Sequence, residues 1–241
     1  MKITLDTHTH TIASGHAYNT IDEMAKAASE KGLELLAITE HAMSMPGACH
    51  QYYFDNLKVV PRQMHGMRLM LGTEANIIDF NGKLDMPDYL LEKMDLVIAS
   101  MHLPCIVTGT KEENTNAMIG AMKHKCVSII GHPDDDRIPV DYEALVKAAK
   151  ENSVLLELNN SSLNPNGFRQ NARENDIKLL TLCKEHGVYI SLGSDAHYKD
   201  DIANFGYAME LLKEVDFPEE LIANTDVDKF LSLLHRKRTD I

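Results

Sequence analysis

Seven short apolar runs alternate with helical stretches along this chain, and that alternation restricts its fold more than any other feature. Residues 2–6, 35–39, 68–75, 96–100, 127–131, 154–159 and 189–194 read as strands. They are apolar throughout rather than alternating, as strands buried on both faces are. Between them lie helical stretches at 21–31, 112–124, 141–151 and 176–186. Thr20 and Glu23 form a capping-box pattern before the first, Asp141 caps the third and Gly187 stops the fourth. Residues 42–66 are irregular, and 77–80 with the turn Asn81-Gly82 read as a small hairpin. Helices at 205–215, 218–224 and 227–237 complete the 241 residues. Repeated β-then-α units call for parallel strands with helical crossovers, an α/β fold. The expectation is one domain over 1–241, closed into a barrel with one unit fewer than the eight-unit version.

The polar residues favour closure over an open sheet. The first strand runs into L-D-T-H-T-H, bringing His8 and His10, with His16 just beyond. The second ends in T-E-H (His41), the third in L-G-T-E (Glu74), the fourth in A-S-M-H (His102) and the fifth in G-H-P-D (His132). The seventh ends in G-S-D-A-H, giving Asp195 and His197, whereas the sixth, E-L-N-N-S-S, offers amides and hydroxyls instead. Residues two apart on a strand face the same way, so His8 with His10, and Asp195 with His197, can act as pairs. The C-terminal rim is where a β/α barrel gathers its chemistry. Of twelve histidines, only His50, His65, His124, His186 and His235 fall elsewhere, and these read as ordinary surface residues.

Nine candidate ligands exceed the three or four of a mononuclear zinc site. Two metals sharing a bridging carboxylate leave some over; three divalent cations account for all nine. Imidazole and carboxylate donors suit zinc first, with manganese or iron also compatible.

A formal charge of −12 argues against a dedicated nucleic-acid binder, and the one basic cluster, at 235–238, fits a helix C-terminus. No apolar stretch reaches the ~18 residues of a membrane span, and the N-terminus lacks an apolar signal core. Cys49, Cys105, Cys126 and Cys183 are scattered, as reduced thiols of a cytoplasmic protein are. No nucleic-acid or membrane partner is expected, and self-association into a homo-oligomer stays open.

These motifs resemble the PHP (polymerase and histidinol phosphatase) superfamily, through H-T-H, T-E-H, the glutamate after the third strand and G-S-D-A-H. S-G-H-A, G-H-P-D and E-L-N-N-S-S resemble its small stand-alone phosphatases of the YcdX type. The resemblance implies a distorted (β/α)7 barrel with its metal site at the C-terminal ends of the strands. It also implies a division of ligands: His8, His10, Glu74 and Asp195 for one metal; Glu74, His102 and His132 for a second; His16, His41 and His197 for a third. Glu74 then bridges the first two.

Three divalent cations outweigh two carboxylates, so the site would attract a compact polyanion such as a phosphate monoester. A hydroxide bridging two metals would attack phosphorus in line, and a third cation would take a phosphate oxygen. Asp195 is the candidate to orient that hydroxide or accept its proton. Arg137, Arg169 and Arg173 could grip phosphate, and Asn159 and Asn160 could line the pocket. Asp6 and Glu40 read equally as partners of ligand imidazoles or as strand-end residues, and 134–136 reads as a polar turn.

The alternatives are a histidinol phosphatase, a nucleic-acid-end phosphoesterase, an amidohydrolase-type C–N hydrolase or a metal-binding protein without catalysis. S-M-H-L-P lacks the lysine that often bridges metals in amidohydrolases. The acidic charge weighs against the nuclease, and nine intact ligands weigh against lost catalysis.

Overall fold

A computed structural model describes residues 1–234 of the chain. Its strands are β1 (Leu5–Asp6), β2 (Leu35–His41), β3 (Gln63–Met64), β4 (Met67–Asn76), β5 (Val97–Ser100), β6 (Ile129–Ile130), β7 (Leu155–Asn159) and β8 (Ile190–Gly193). Seven of them pair in parallel in the order β1-β2-β4-β5-β6-β7-β8, with β3 antiparallel to β4. The helices are α1 (Ile21–Glu30), α2 (Gln51–Asn56), α3 (Asp88–Leu91), α4 (Lys111–Met122), α5 (Tyr142–Asn152), α6 (Ala172–His186), α7 (Gly206–Glu214) and α8 (Val227–Leu233).

The sheet nearly closes, as a distorted (β/α)7 barrel. β1 and β8 meet near the top through the Thr9–Ala196 bridge. His10 N donates to Ala196 O (2.9 Å), and Asp195 N donates to His8 O (2.9 Å). Lower down a side chain completes the join. The Asn224 amide donates to Leu5 O (3.0 Å) and Leu192 O (2.8 Å) and accepts from Leu192 N (2.7 Å).

Strand alternation sorts the side chains. Leu36 and Ile38 face the outer layer between sheet and helices, whereas Leu35 and Ala37 face inward. The inner core of Leu5, Leu35, Met70, Leu96, Ile98, Ile129 and Leu155 fills the N-terminal half of the barrel, and Phe230 of α8 plugs it from below. Continuing the same inward rows toward the strand C-termini reaches His41 on β2, Glu74 on β4 and Glu157 on β7. The register sets His41 directly beside Glu74.

The capping box of Thr20 and Glu23 opens α1, and a second one, Thr110 with Glu113, opens α4. Four segments differ from expectation. The irregular 42–66 stretch holds α2 and β3. The expected helix at 218–224 is a pair of 3-10 turns, Glu219–Leu221 and Ala223–Thr225. α6 begins at Ala172, earlier than its apolar pattern. The hairpin at 77–84 reduces to a single Ile77–Leu84 bridge. The basic 235–238 cluster, His235 included, lies outside the described residues. Among the described residues no helix is long and apolar enough to cross a membrane.

Candidate metal centre

The nine side chains singled out at the strand ends converge on one mouth of the barrel. Glu74, fully buried, is the hub. Its Oε1 faces His132 Nε2 (2.8 Å) and His102 Nε2 (3.1 Å). Its Oε2 faces His41 Nδ1 (2.7 Å), His8 Nε2 (3.3 Å) and His10 Nε2 (3.6 Å). Asp195 Oδ1 lies 3.3 Å from His10 Nε2 and 3.7 Å from His8 Nε2. The His16 ring stacks at 5.0 Å on His41 and 4.8 Å on His197. Donor atoms gather into the overlapping triads His8–His10–Glu74, His10–His41–His197 and His41–Glu74–His102. His41 therefore stands between the Glu74 group and the His16–His197 group, where the resemblance assigned it to the latter alone.

Most of these imidazoles are held from behind. His8 Nδ1 donates to Glu157 Oε1 (2.7 Å), His10 Nδ1 to Ser14 Oγ (3.0 Å), His102 Nδ1 to Asn76 Oδ1 (2.7 Å) and His197 Nδ1 to the Asp195 carbonyl (2.9 Å). A donor hydrogen fixed at Nδ1 selects the tautomer whose Nε2 lone pair points at the centre. Behind Ser14 stands Glu40, which accepts from Ser14 Oγ (2.6 Å), Tyr53 Oη (3.2 Å) and the Thr11 hydroxyl. Glu40 thus orients His10 through Ser14. Asp6 instead accepts the backbone N–H groups of His8, Ser194 and Ala203, so it secures strand ends and touches no imidazole.

Two of the residues sit on strained backbone, His132 at φ 28° and Asp195 at φ 56°. Glu157 Oε2 accepts from His132 N (2.9 Å) and helps hold that turn. Gly193 leaves room for this arrangement. A Cβ there would lie 2.1 Å from Glu157 Oε1 and 2.8 Å from His8 Cβ.

The donor set fits divalent cations. His8 Nε2, His10 Nε2, His41 Nδ1 and Glu74 Oε2 are buried and make no hydrogen bond, although they point at one another. Polar atoms so placed are costly unless a cation joins them. Burial, with His41 and His197 adjacent, holds His10 well below the usual imidazole range, so its lone pair is available. Burial and His197 lower His16 in the same way. Burial opposes ionisation of Glu74, but His102, His8 and His41 outweigh it and keep the carboxyl well below its ordinary range. His8 and His10 do the same for Asp195 against its burial. At His8, burial is outweighed by Glu157 and Glu74, which favour a proton on the ring where a cation could stand instead.

The basic residues separate. Arg169 is 8% exposed at its side chain, donates to Ser162 Oγ (2.7 Å) and lies 3.5 Å from Asp195 Oδ2. Asn159 donates to Asp195 Oδ2 (3.2 Å), while the Asn160 amide oxygen accepts from Ala208 N (3.1 Å). Arg137 reaches the mouth but is engaged by Asp135, its Nε 3.0 Å from both oxygens. Arg173 is a correction: it is exposed and pairs with Glu214 on α7, because its place in the first turn of α6 turns it outward. Residues 134–136 are more than a polar turn. Asp134 and Asp176 of α6 are fully buried, and none of their carboxylate oxygens makes a hydrogen bond. Burial raises both, and at Asp176 the neighbouring Asp134 adds to it. Of the remaining histidines, His50 caps α2, His65 pairs with Asp22 and His124 with Asp88, and His186 ends α6, all outside the cluster.

The PHP domain family matches residues 6–240. The chain belongs to the PHP family. A probable phosphatase of Caldicellulosiruptor saccharolyticus is 47% identical over 97% of this chain and 97% of its own. Another relative, a probable phosphatase of Clostridium novyi, is 48% identical over 98% of this chain and 96% of its own. Among solved structures, the histidinol phosphate phosphatase of Lactococcus lactis, complexed with zinc, L-histidinol and phosphate, superposes with a TM-score of 0.63. At 18% identity over 89% of this chain and 94% of that one, it shares the fold.

Proposed function

We propose that this chain is a metal-dependent phosphatase of small phosphate monoesters, working with three divalent cations, zinc first, at the mouth of its barrel. The observation that carries the reading is the set of buried donor atoms without hydrogen bonds, on His8, His10, His41 and Glu74, aimed at a common space. Near-full-length relatives named probable phosphatases support the reaction class. Zinc and phosphate in the Lactococcus lactis histidinol phosphate phosphatase support the cofactor.

Divalent cations bound there supply Lewis acidity toward a phosphoryl oxygen and lower the pKa of water toward ~7. The chain does the rest. Glu74 turns one oxygen to His102 and His132 and the other to His8, His10 and His41, as a carboxylate joining two cation positions would. His16 and His197, with His41 beside them, would hold the third. Asp195, with Oδ2 held by Asn159 and Arg169, is the carboxylate placed to orient an attacking water. Arg169 presents a buried cation beside that carboxylate, suited to charge developing on the phosphoryl group. The net −12 disfavours long nucleic-acid chains at this mouth.

Elemental analysis and p-nitrophenyl phosphate turnover on one sample, before and after chelation, test the reading. The expected result is three ions per chain and turnover that disappears with them and returns on adding zinc or manganese. A fully loaded protein that turns over no monoester, or activity that survives complete metal removal, would refute it.

A further inference from the structure

The cluster opens into a cavity of about 550 Å³. That volume suits a whole small molecule, far more than a phosphate group alone requires. The imidazoles, Glu74 and Asp195 form its polar floor. Ser161, Asp135, Arg137 and Arg169 add polar groups to the lining, and its apolar part is formed mainly by Met101, Leu103, Pro104, Met118, Ile138 and Phe168. Two of these stand open at the rim: Phe168 is 72% exposed and Leu103 38%. The Arg137 and Arg169 guanidinium groups each lie 5.4 Å from the Phe168 ring centroid and hold an otherwise solvent-facing aromatic in place. The carboxylates are committed elsewhere: Asp135 to Arg137, and Glu74 and Asp195 to imidazoles. Among the described lining residues none is left to balance an ammonium, and the thioether and hydrocarbon walls offer little to a row of hydroxyls.

We propose that the alcohol released by this site is uncharged and mainly apolar, an aryl or hydrocarbon-rich group seated between the Met101–Met118–Ile138 wall and the Phe168 ring. The inference rests on the phosphatase reading and deepens it. Desolvating a sugar or an amino alcohol against these walls costs binding, whereas an apolar group covers Phe168 and Leu103 and gains it. Methionine walls adapt to more than one shape, so selectivity falls on polarity more than on outline.

The test compares three monoesters that all release primary alkoxides: 2-phenylethyl phosphate, glycerol 1-phosphate and phosphoethanolamine. The metal-loaded full chain should favour the first by about a hundredfold in kcat/KM. Phe168→Ala, at an exposed position where folding is not at stake, should cut that preference about tenfold, chiefly through KM for the phenyl substrate. Calorimetry with 2-phenylethylphosphonate against methylphosphonate gives a readout without turnover, and the former should bind more tightly with a negative heat-capacity change. Equal kcat/KM values, or a preference for glycerol phosphate or phosphoethanolamine, would overturn the inference and leave the phosphatase reading standing. Turnover of none of the three would remove both.

Discussion

Glu157 gives the sharpest test of how this centre is held. Its Oε1 accepts from His8 Nδ1 at 2.7 Å, and its Oε2 accepts from His132 N at 2.9 Å and from Asn159 Nδ2 at 3.2 Å. Every partner is a donor, and the carboxylate is buried. Glu157→Gln keeps the shape but makes one of the two atoms a donor. If the new amide group faces His8, the ring must move its proton to Nε2, and the lone pair aimed at the cluster is lost. If it faces His132, a donor meets a donor beside a residue already at φ 28°. Losing such an outer partner costs a metal site about 10–100-fold in affinity, or about 1.4–2.7 kcal/mol. Zinc affinity is to be measured by competition with a chromophoric chelator, ion count by elemental analysis and fold by circular dichroism. The variant should stay folded, bind its weakest ion at least tenfold less tightly and lose turnover in proportion. A Gln variant with unchanged zinc affinity and stoichiometry would refute the argument that Glu157 sets the His8 tautomer.

Arg169→Ala should lower kcat/KM by about 100-fold, whereas Arg173→Ala, which removes an exposed ion pair, should leave steady-state kinetics unchanged. Gly193→Ala should displace Glu157 and His8, costing about 1–3 kcal/mol in denaturant unfolding together with a loss of bound metal. Burial, with Asp134 alongside, raises Asp176 well above its ordinary pKa of 3.8, so the folded chain binds a proton there that the unfolded chain has released. That contribution to stability is present at low pH and is lost as pH rises through the folded pKa. Asp176→Asn should therefore raise Tm at pH 7–8, by about 2–4 °C for each kcal/mol recovered, with the gain shrinking toward pH 4; a gain independent of pH would contradict this.

The barrel was legible because the period of the chain is that of its units, and each apolar run led to a strand. The rim was legible because a β/α barrel exposes side chains at the strand ends, so histidines following T-E, A-S-M and I-I-G stood out. Glu157 escaped because it lies inside the run rather than after it. Its inward direction follows from alternation with Leu155, and that alternation is hidden when both faces of a strand are apolar. Arg173 misled because a basic residue near the rim can also belong to the first turn of a helix that carries it outward. Asp134 and Asp176, apart in sequence, became a pair only when α6 packed behind the loop that follows β6. The 218–224 segment looked helical by composition, yet it lies where Asn224 must turn inward to reach Leu5 and Leu192, and a continuous helix cannot make that turn.

That inward turn bears on how the molecule holds together. The first and last strands meet along a seam knit by the Asn224 amide at its lower end, by the Thr7 hydroxyl on Leu192 O and Ser194 N on Asp6 above it, and by backbone bonds around Thr9 and Ala196 at its upper end. His8 and His10 stand on one side of the seam and Asp195 on the other. A cation shared by them would act as a clasp between distant parts of the chain. Stripping it should unfasten the barrel there first, with amide hydrogens beside β1 and β8 exchanging sooner than those of β2 and β4.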